Sequence, residues 1–174
     1  MTVSVFVGVS VDGFLARPDG GLDWLPSPGG DDAGYADFMA GIDALVMGRK
    51  TFETALGFGK WPYTGKRVVV LSSKPVDLAA VRGHRVEAMA GTPADIVERL
   101  ALTGARNLYV DGGATIQGFL RDGLVDRLIV TRVPVLIGQG IPLFGPLAND
   151  VRLRQVATRT FSGGLVQTEY AVVR

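Results

Sequence analysis

The chain has 174 residues, with 18 Lys and Arg against 17 Asp and Glu, so it carries no strong field to gather nucleic acid or an anionic membrane. Cysteine is absent and His84 is the single histidine, which removes disulfides, thiolate nucleophiles and Cys-ligated zinc and leaves no metal site to expect. No apolar run approaches the roughly 18 residues of a membrane span and the N-terminus lacks a secretory signal pattern, so one cytoplasmic domain over 1–174 acting on a small molecule is expected.

Val3 to Val11 is rich in β-branched residues and runs into the turn pair Asp12-Gly13, the pattern of a buried first strand. From Asp12 to Gly30 the chain is dense in Gly, Pro and Asp yet carries Trp24 and Leu25, which marks a functional loop rather than a solvated linker. Asp31 and Asp32 suit a helix start, and Tyr35, Phe38, Met39 and Ile42 follow at helical spacing. Ala44 to Met47 reads as a short buried strand, Arg49 to Leu56 as a helix, Arg67 to Leu71 as a strand and His84 to Met89 as another.

Thr92-Pro93-Ala94-Asp95 joins a capping-box pattern to a proline at the first helical position, ahead of an apolar stripe of Ile96, Val97, Leu100 and Ala101. Asn107 to Val110 is a strand leading through Asp111-Gly112-Gly113 into a helix that carries Ile116, Phe119 and Leu120 up to Gly123. Val125 to Ile137, Val151 to Phe161 and Leu165 to Val173 then read as three strands, the last two joined by a tight turn at Gly163-Gly164. Alternation followed by a hairpin predicts an α/β fold with a mostly parallel sheet, helices on both faces and an antiparallel C-terminal hairpin. The 47% of hydrophobic residues and mean hydropathy of +0.27 are high for a small domain and suit a homodimer interface, although a sheet buried on both faces also needs continuous apolar strands.

In such a sheet, ligands bind beyond the carboxyl ends of the strands. Gly48-Arg49-Lys50-Thr51 puts two cations and a hydroxyl where a helix begins, which suits a pyrophosphate, although solvated helix charges would look the same. Leu71-Ser72-Ser73-Lys74 offers hydroxyls and a cation for a phosphate monoester, or else a plain turn before Pro75. Asp111-Gly112-Gly113-Ala114-Thr115 opens a helix with paired glycines and lets a phosphate approach the backbone, or else is a simple glycine turn, and it lacks the G-x-G-x-x-G fingerprint.

These segments, with Val3 to Ala16, Trp24, YVDGGATIQGFL at 109 to 120 and LVDRLIVT at 124 to 131, resemble the dihydrofolate reductase superfamily. The stretch VDGGATIQGFL, LVDRLIV and PVLIGQGIPLF resembles, more narrowly, the C-terminal reductase domain of the riboflavin deaminase-reductase and its stand-alone relatives. The resemblance implies a three-layer α/β/α fold and an NADPH-dependent reductase of a pyrimidine or pterin-like heterocycle, with 5-amino-6-(5-phosphoribosylamino)uracil as its first candidate. Dihydrofolate reduction and a non-catalytic NADP-binding module are the alternatives. It also implies that Arg49, Lys50 and Thr51 hold the cofactor pyrophosphate, that Ser72 and Ser73 hold the adenosine 2′-phosphate side, and that Gly112 to Ile116 hold the diphosphate and nicotinamide ribose. Gly8 would leave room for the nicotinamide carboxamide, Trp24 would close the loop over the site and Thr131 would support the acid.

Reduction of an imine needs a proton beside the hydride acceptor. Asp12 is the first candidate to supply it and also suits a turn before Gly13; Asp31 and Asp32 are the others and equally suit helix capping. The helix after them presents Tyr35 and Phe38 inward where dihydrofolate reductases carry an acid. The cysteine-dependent zinc motif of a deaminase is absent.

Overall fold

The computed structural model of the chain describes residues 1–26 and 32–174. Eight strands form one sheet in the order β5-β4-β3-β6-β1-β7-β10-β9. They are β1 (Thr2–Ser10), β3 (Ala44–Gly48), β4 (Arg67–Leu71), β5 (Val86–Met89), β6 (Asn107–Asp111), β7 (Arg127–Val133), β9 (Arg152–Phe161) and β10 (Leu165–Val173). Every pairing from β5 across to β7 is parallel, and β10 runs against both β7 and β9. The expected mostly parallel sheet with a C-terminal hairpin is the observed one.

Helices lie on both faces because the sheet is apolar on both. Ala44 to Met47 is fully buried, as a strand covered on two sides requires. Val3, Val5, Val7 and Val9 of β1 pack with Ile96 and Leu100 of α3 (Pro93–Leu102) and with Ile116 and Phe119 of α4 (Gly113–Arg121). On the other face, Leu45, Met47, Val68, Val70 and Tyr109 pack with Phe52 and Ala55 of α2 (Arg49–Leu56) and with Tyr35, Phe38 and Met39 of α1 (Tyr35–Ala40).

Several boundaries move for local reasons. The first strand stops at Ser10, and Val11 turns outward to 55% exposure. The strand expected to reach Ile137 stops at Val133 because Pro134 has no N–H to continue the ladder. The expected functional loop contains a strand, β2 (Phe14–Ala16), paired antiparallel with β8 (Ile141–Pro142). The first helix begins at Tyr35, four residues after Asp31, which itself lies outside the described residues. Asp32 sets that start: its carboxylate accepts from the N–H groups of Gly34 and Ala36, each at 2.9 Å. The C-terminal hairpin closes through Ser162–Gly164, with Gly163 and Gly164 at φ 74° and 77°, a backbone region natural to glycine.

Packing predicts a sharp contrast in α4 and α3. Phe119→Ala opens a fully buried site and is expected to cost about 3–5 kcal/mol, whereas Leu102→Ala, at a position 81% exposed, is expected to stay within about 0.5 kcal/mol. Urea unfolding of the two variants measures both.

Candidate active site

Two helices start side by side at the carboxyl edge of the sheet. β3 runs straight into α2 through Gly48, and β6, its neighbour, runs into α4 through Gly112. Neither helix has a side-chain cap or an acid in its first turn, so the free N–H groups and positive dipole ends of both remain open to an anion. By contrast, α3 closes its own end: Thr92 Oγ1 accepts from Asp95 N–H and the Asp95 carboxylate accepts from Thr92 N–H.

The two starts interlock through missing Cβ atoms. A Cβ on Gly48 would stand 2.9 Å from Thr115 Oγ1, and one on Gly112 would collide with Thr51 Oγ1. Gly112 also has φ 90°, which a side chain would strain. Gly113 is equally confined, since a Cβ there would meet Ile141 Cγ2 at 3.1 Å and Pro142 O at 3.3 Å. The β2–β8 pair thus forms one wall of the cradle.

The structure brings Gly48, Thr51, Gly112, Gly113 and Thr115 together, with Ala114 exposed and Ile116 buried behind them. Arg49 is held by Glu53 at 2.7 Å, both half-exposed, while Lys50 is exposed beside it. One strand further out, beyond Leu71, Ser72 Oγ donates to Lys74 O at 2.7 Å and accepts from Lys74 N–H at 3.1 Å, which leaves Ser73 exposed at the turn. Within β1, the space above Gly8 is taken by Leu25, whose Cδ2 would stand 2.9 Å from a Cβ. Trp24 lies next to it, and its indole Nε1 is buried with no hydrogen-bond partner among the described residues.

Asp12 sits in the turn after β1. Its carboxylate accepts from Gly138 N–H at 2.7 Å and Ile137 N–H at 3.3 Å, tying the loop after β1 to the loop after β7. A hydrogen bond from Ser10 and those two amides hold its pKa below the usual value. Thr131 is buried; its Oγ1 accepts from Gln167 Nε2 at 3.0 Å, and the same amide donates to Ala33 O at 2.8 Å. Thr131 therefore supports the entry to α1. Ala33 sits at φ 52°, an uncommon conformation for a residue with a Cβ.

Asp111 is the last residue of β6. Its side chain projects to the same face as Tyr109, and burial pushes its pKa up to about 6 against the opposing hydrogen bond from Gly112 N–H at 2.7 Å. Burial also raises Tyr35, Tyr63 and Tyr109, with the Asp111 charge adding to each. Tyr109 donates to Phe6 O at 2.9 Å; the hydroxyls of Tyr35 and Tyr63 have no hydrogen-bond partner among the described residues. The sequence signal for Asp111 is an acid closing an otherwise apolar strand, NLYVD, directly before the glycines. Arg17 is clamped by Asp23 at 2.6 and 2.8 Å, and Lys60 is exposed after α2.

An anion can thus be held over α2 and α4 while a carboxyl with a pKa near neutrality lies at the base of the second helix. The family model described as RibD C-terminal domain matches residues 1–167. The Bacillus subtilis protein YwjB is 32% identical over 169 residues, covering 95% of each chain. The crystal structure of a putative riboflavin biosynthesis protein from Shewanella sp. PV-4 superposes with a TM-score of 0.92 at 37% identity over the full length of both chains. A Thermotoga maritima diaminohydroxyphosphoribosylaminopyrimidine deaminase/5-amino-6-(5-phosphoribosylamino)uracil reductase shares the fold at a TM-score of 0.80 and 17% identity, over 99% of this chain and 56% of that one.

The raised Asp111 pKa links stability to pH. The folded chain keeps this proton to about pH 6 and the unfolded chain only to the ordinary 3.8, so stability is lost as pH rises through that window. Asp111→Asn is expected to flatten this dependence and to be more stable than the parent at pH 8 by about 1–3 kcal/mol. Denaturation at a series of pH values checks it.

Proposed function

Since the chain belongs to the RibD C-terminal domain family, we propose that it is an NADPH-dependent reductase of a pyrimidine-like heterocycle, with 5-amino-6-(5-phosphoribosylamino)uracil as the first substrate to try. The observation that carries this reading is the paired, uncapped starts of α2 and α4 with Asp111 at their base.

The cradle fits a dinucleotide. The free N–H groups of α2 and α4, with Thr51 and Thr115, would hold the diphosphate; Lys50 would approach it; Ser72, Ser73 and Lys74 would take the adenosine 2′-phosphate. When bound, the cofactor supplies the hydride. The chain's own residues do the rest. Leu25 covers Gly8, and the Trp24 indole N–H is buried with a hydrogen bond to give; the two would help exclude water. Reduction of a C=N bond adds hydride to carbon and a proton to nitrogen, and the Asp111 carboxyl gives that proton and recovers it from solvent.

The sequence makes Asp12 the first candidate for the proton. We assign it to Asp111, because the Asp12 carboxylate already accepts two backbone N–H groups and its pKa is lowered. Dihydrofolate reduction has less support: the acid on α1, Asp37, lies on the side of the helix away from Tyr35 and Met39. A homodimer belongs to the same reading. The face of β7, β10 and β9 opposite α1 bears the partly exposed Leu153 and Phe144 around a groove, and sedimentation would give twice the 18.4 kDa chain mass. NADPH dependence and the lack, among the described residues, of a helix able to cross a membrane fit a place in the cytoplasm.

Calorimetry with NADPH, followed by turnover of the aminouracil substrate, tests the assignment; a chain that binds no NADPH would sink it. Asp111→Asn is expected to lower kcat about 10²–10⁴-fold with NADPH affinity retained, and Asp12→Asn to lower it less than Asp111→Asn. In the parent, kcat/KM should fall above pH about 6, as Asp111 loses its proton. A pH-rate profile measures the last point.

A further inference from the structure

α1 separates two spaces. On one side of α1, Tyr35 and Met39 pack with Tyr109 and the core residues of α2; Phe38 also meets Tyr109, and with Gly34, Asp37 and Gly41 it lines a cleft on the other side. The cleft has a volume of about 460 Å³, the size of small-molecule sites, and it opens at the amino-terminal half of β1, away from the helix starts of the cofactor cradle. Its floor is Ser4 and Phe6 of β1 with Ile129 of β7, and its far wall is Arg159 and Gln167 of the C-terminal hairpin.

Three features of this cleft ask for a ligand. Ser4 is only 4% exposed and its hydroxyl makes no hydrogen bond among the described residues, so it has one to offer a molecule in the cleft. Arg127 stands directly beside Ser4 in the sheet register, oriented by Glu169 at 2.7 Å through Nε, so its remaining guanidinium donors are free and preorganised. Arg159, opposite Gln167 in the hairpin register, has no ion pair among the described residues. Between these polar groups lie the ring of Phe6 and that of Phe38, with centroids 4.9 Å apart, and the side chain of Ile129. Asp37 on α1 is the one acid lining the cleft among the described residues, and it sets the polarity: an anion belongs on the hairpin side.

We propose that this cleft is a second binding site, for a small apolar or aromatic ring bearing one acidic group. The ring lies on Phe6, Phe38 and Ile129, and the carboxylate or phosphate is held by Arg159 and Arg127, with Ser4 donating to it or to a ring acceptor. A bidentate guanidinium suits either acid.

The probes are phenyl phosphate, inorganic phosphate and benzyl alcohol, each titrated into the full chain and followed by backbone amide NMR and calorimetry. Phenyl phosphate is expected to shift the amides of Ser4, Asn107 and Gln167, with or without saturating NADPH, and to bind at least tenfold more tightly than either fragment. Arg159→Gln, on an exposed strand, and Ser4→Ala, which removes an unpartnered hydroxyl, are expected to weaken it about tenfold or more and to leave NADPH affinity unchanged. Shifts confined to residues 48–51 and 112–115, displacement by NADPH, equal binding of inorganic phosphate, or indifference to Arg159→Gln would each overturn the site. The amide map reads this result whether or not the chain binds NADPH, so failure of the reductase reading is seen separately.

Discussion

Two helices can begin side by side above neighbouring strands only if no Cβ stands between them, and much of this molecule follows from that close approach. Gly48 leaves room for Thr115, and Gly112 leaves room for Thr51. With both glycines in place, the amide ends of α2 and α4 add their partial charges over one small area. The same geometry draws the β2–β8 pair against Gly113 and leaves Asp111 under the second helix start, where burial raises its pKa. The open amide ends and the carboxyl's acidity therefore follow from one packing constraint.

The polar groups inside the sheet divide by what they hold. Gln167 joins Thr131 to Ala33 and so fixes where α1 begins and how Tyr35 faces Tyr109. Asp12 joins two loops through ionic hydrogen bonds to amides. Among the described residues, Asp111 hydrogen-bonds only its own neighbour Gly112 and bears the cost of burial instead. A carboxyl that is poorly solvated and lightly bonded exchanges its proton near neutrality, whereas one fixed by two amides does not.

Strands and helices with strong periodicity were legible in the sequence. The apolar run of Ala44 to Met47, the cap pattern of Thr92 to Asp95 and the glycine-led helix after Asp111 are all where the residues put them, because local chemistry and burial agree there. The β2–β8 pair was not legible, since two- and three-residue strands carry no period and their pairing joins positions about 125 apart. In the candidate site, the glycines and Thr51 could be read from spacing. The pairing of the Asp12 carboxylate with Ile137 and Gly138 could not, nor could the tyrosines around Asp111, which come from three separate segments of the chain.

The bare ends of α2 and α4 also bear on how this chain tolerates change. A side-chain cap is worth about 1 kcal/mol, and α3 shows that the sequence can build one. Selection for heat resistance alone would favour hydroxyl or carboxyl side chains at the open ends, wherever Thr51 and Thr115 could yield space. The hardier chains so obtained would have filled, with their own oxygens, the positions an incoming phosphate needs, so robustness and ligand capture draw on the same few amides.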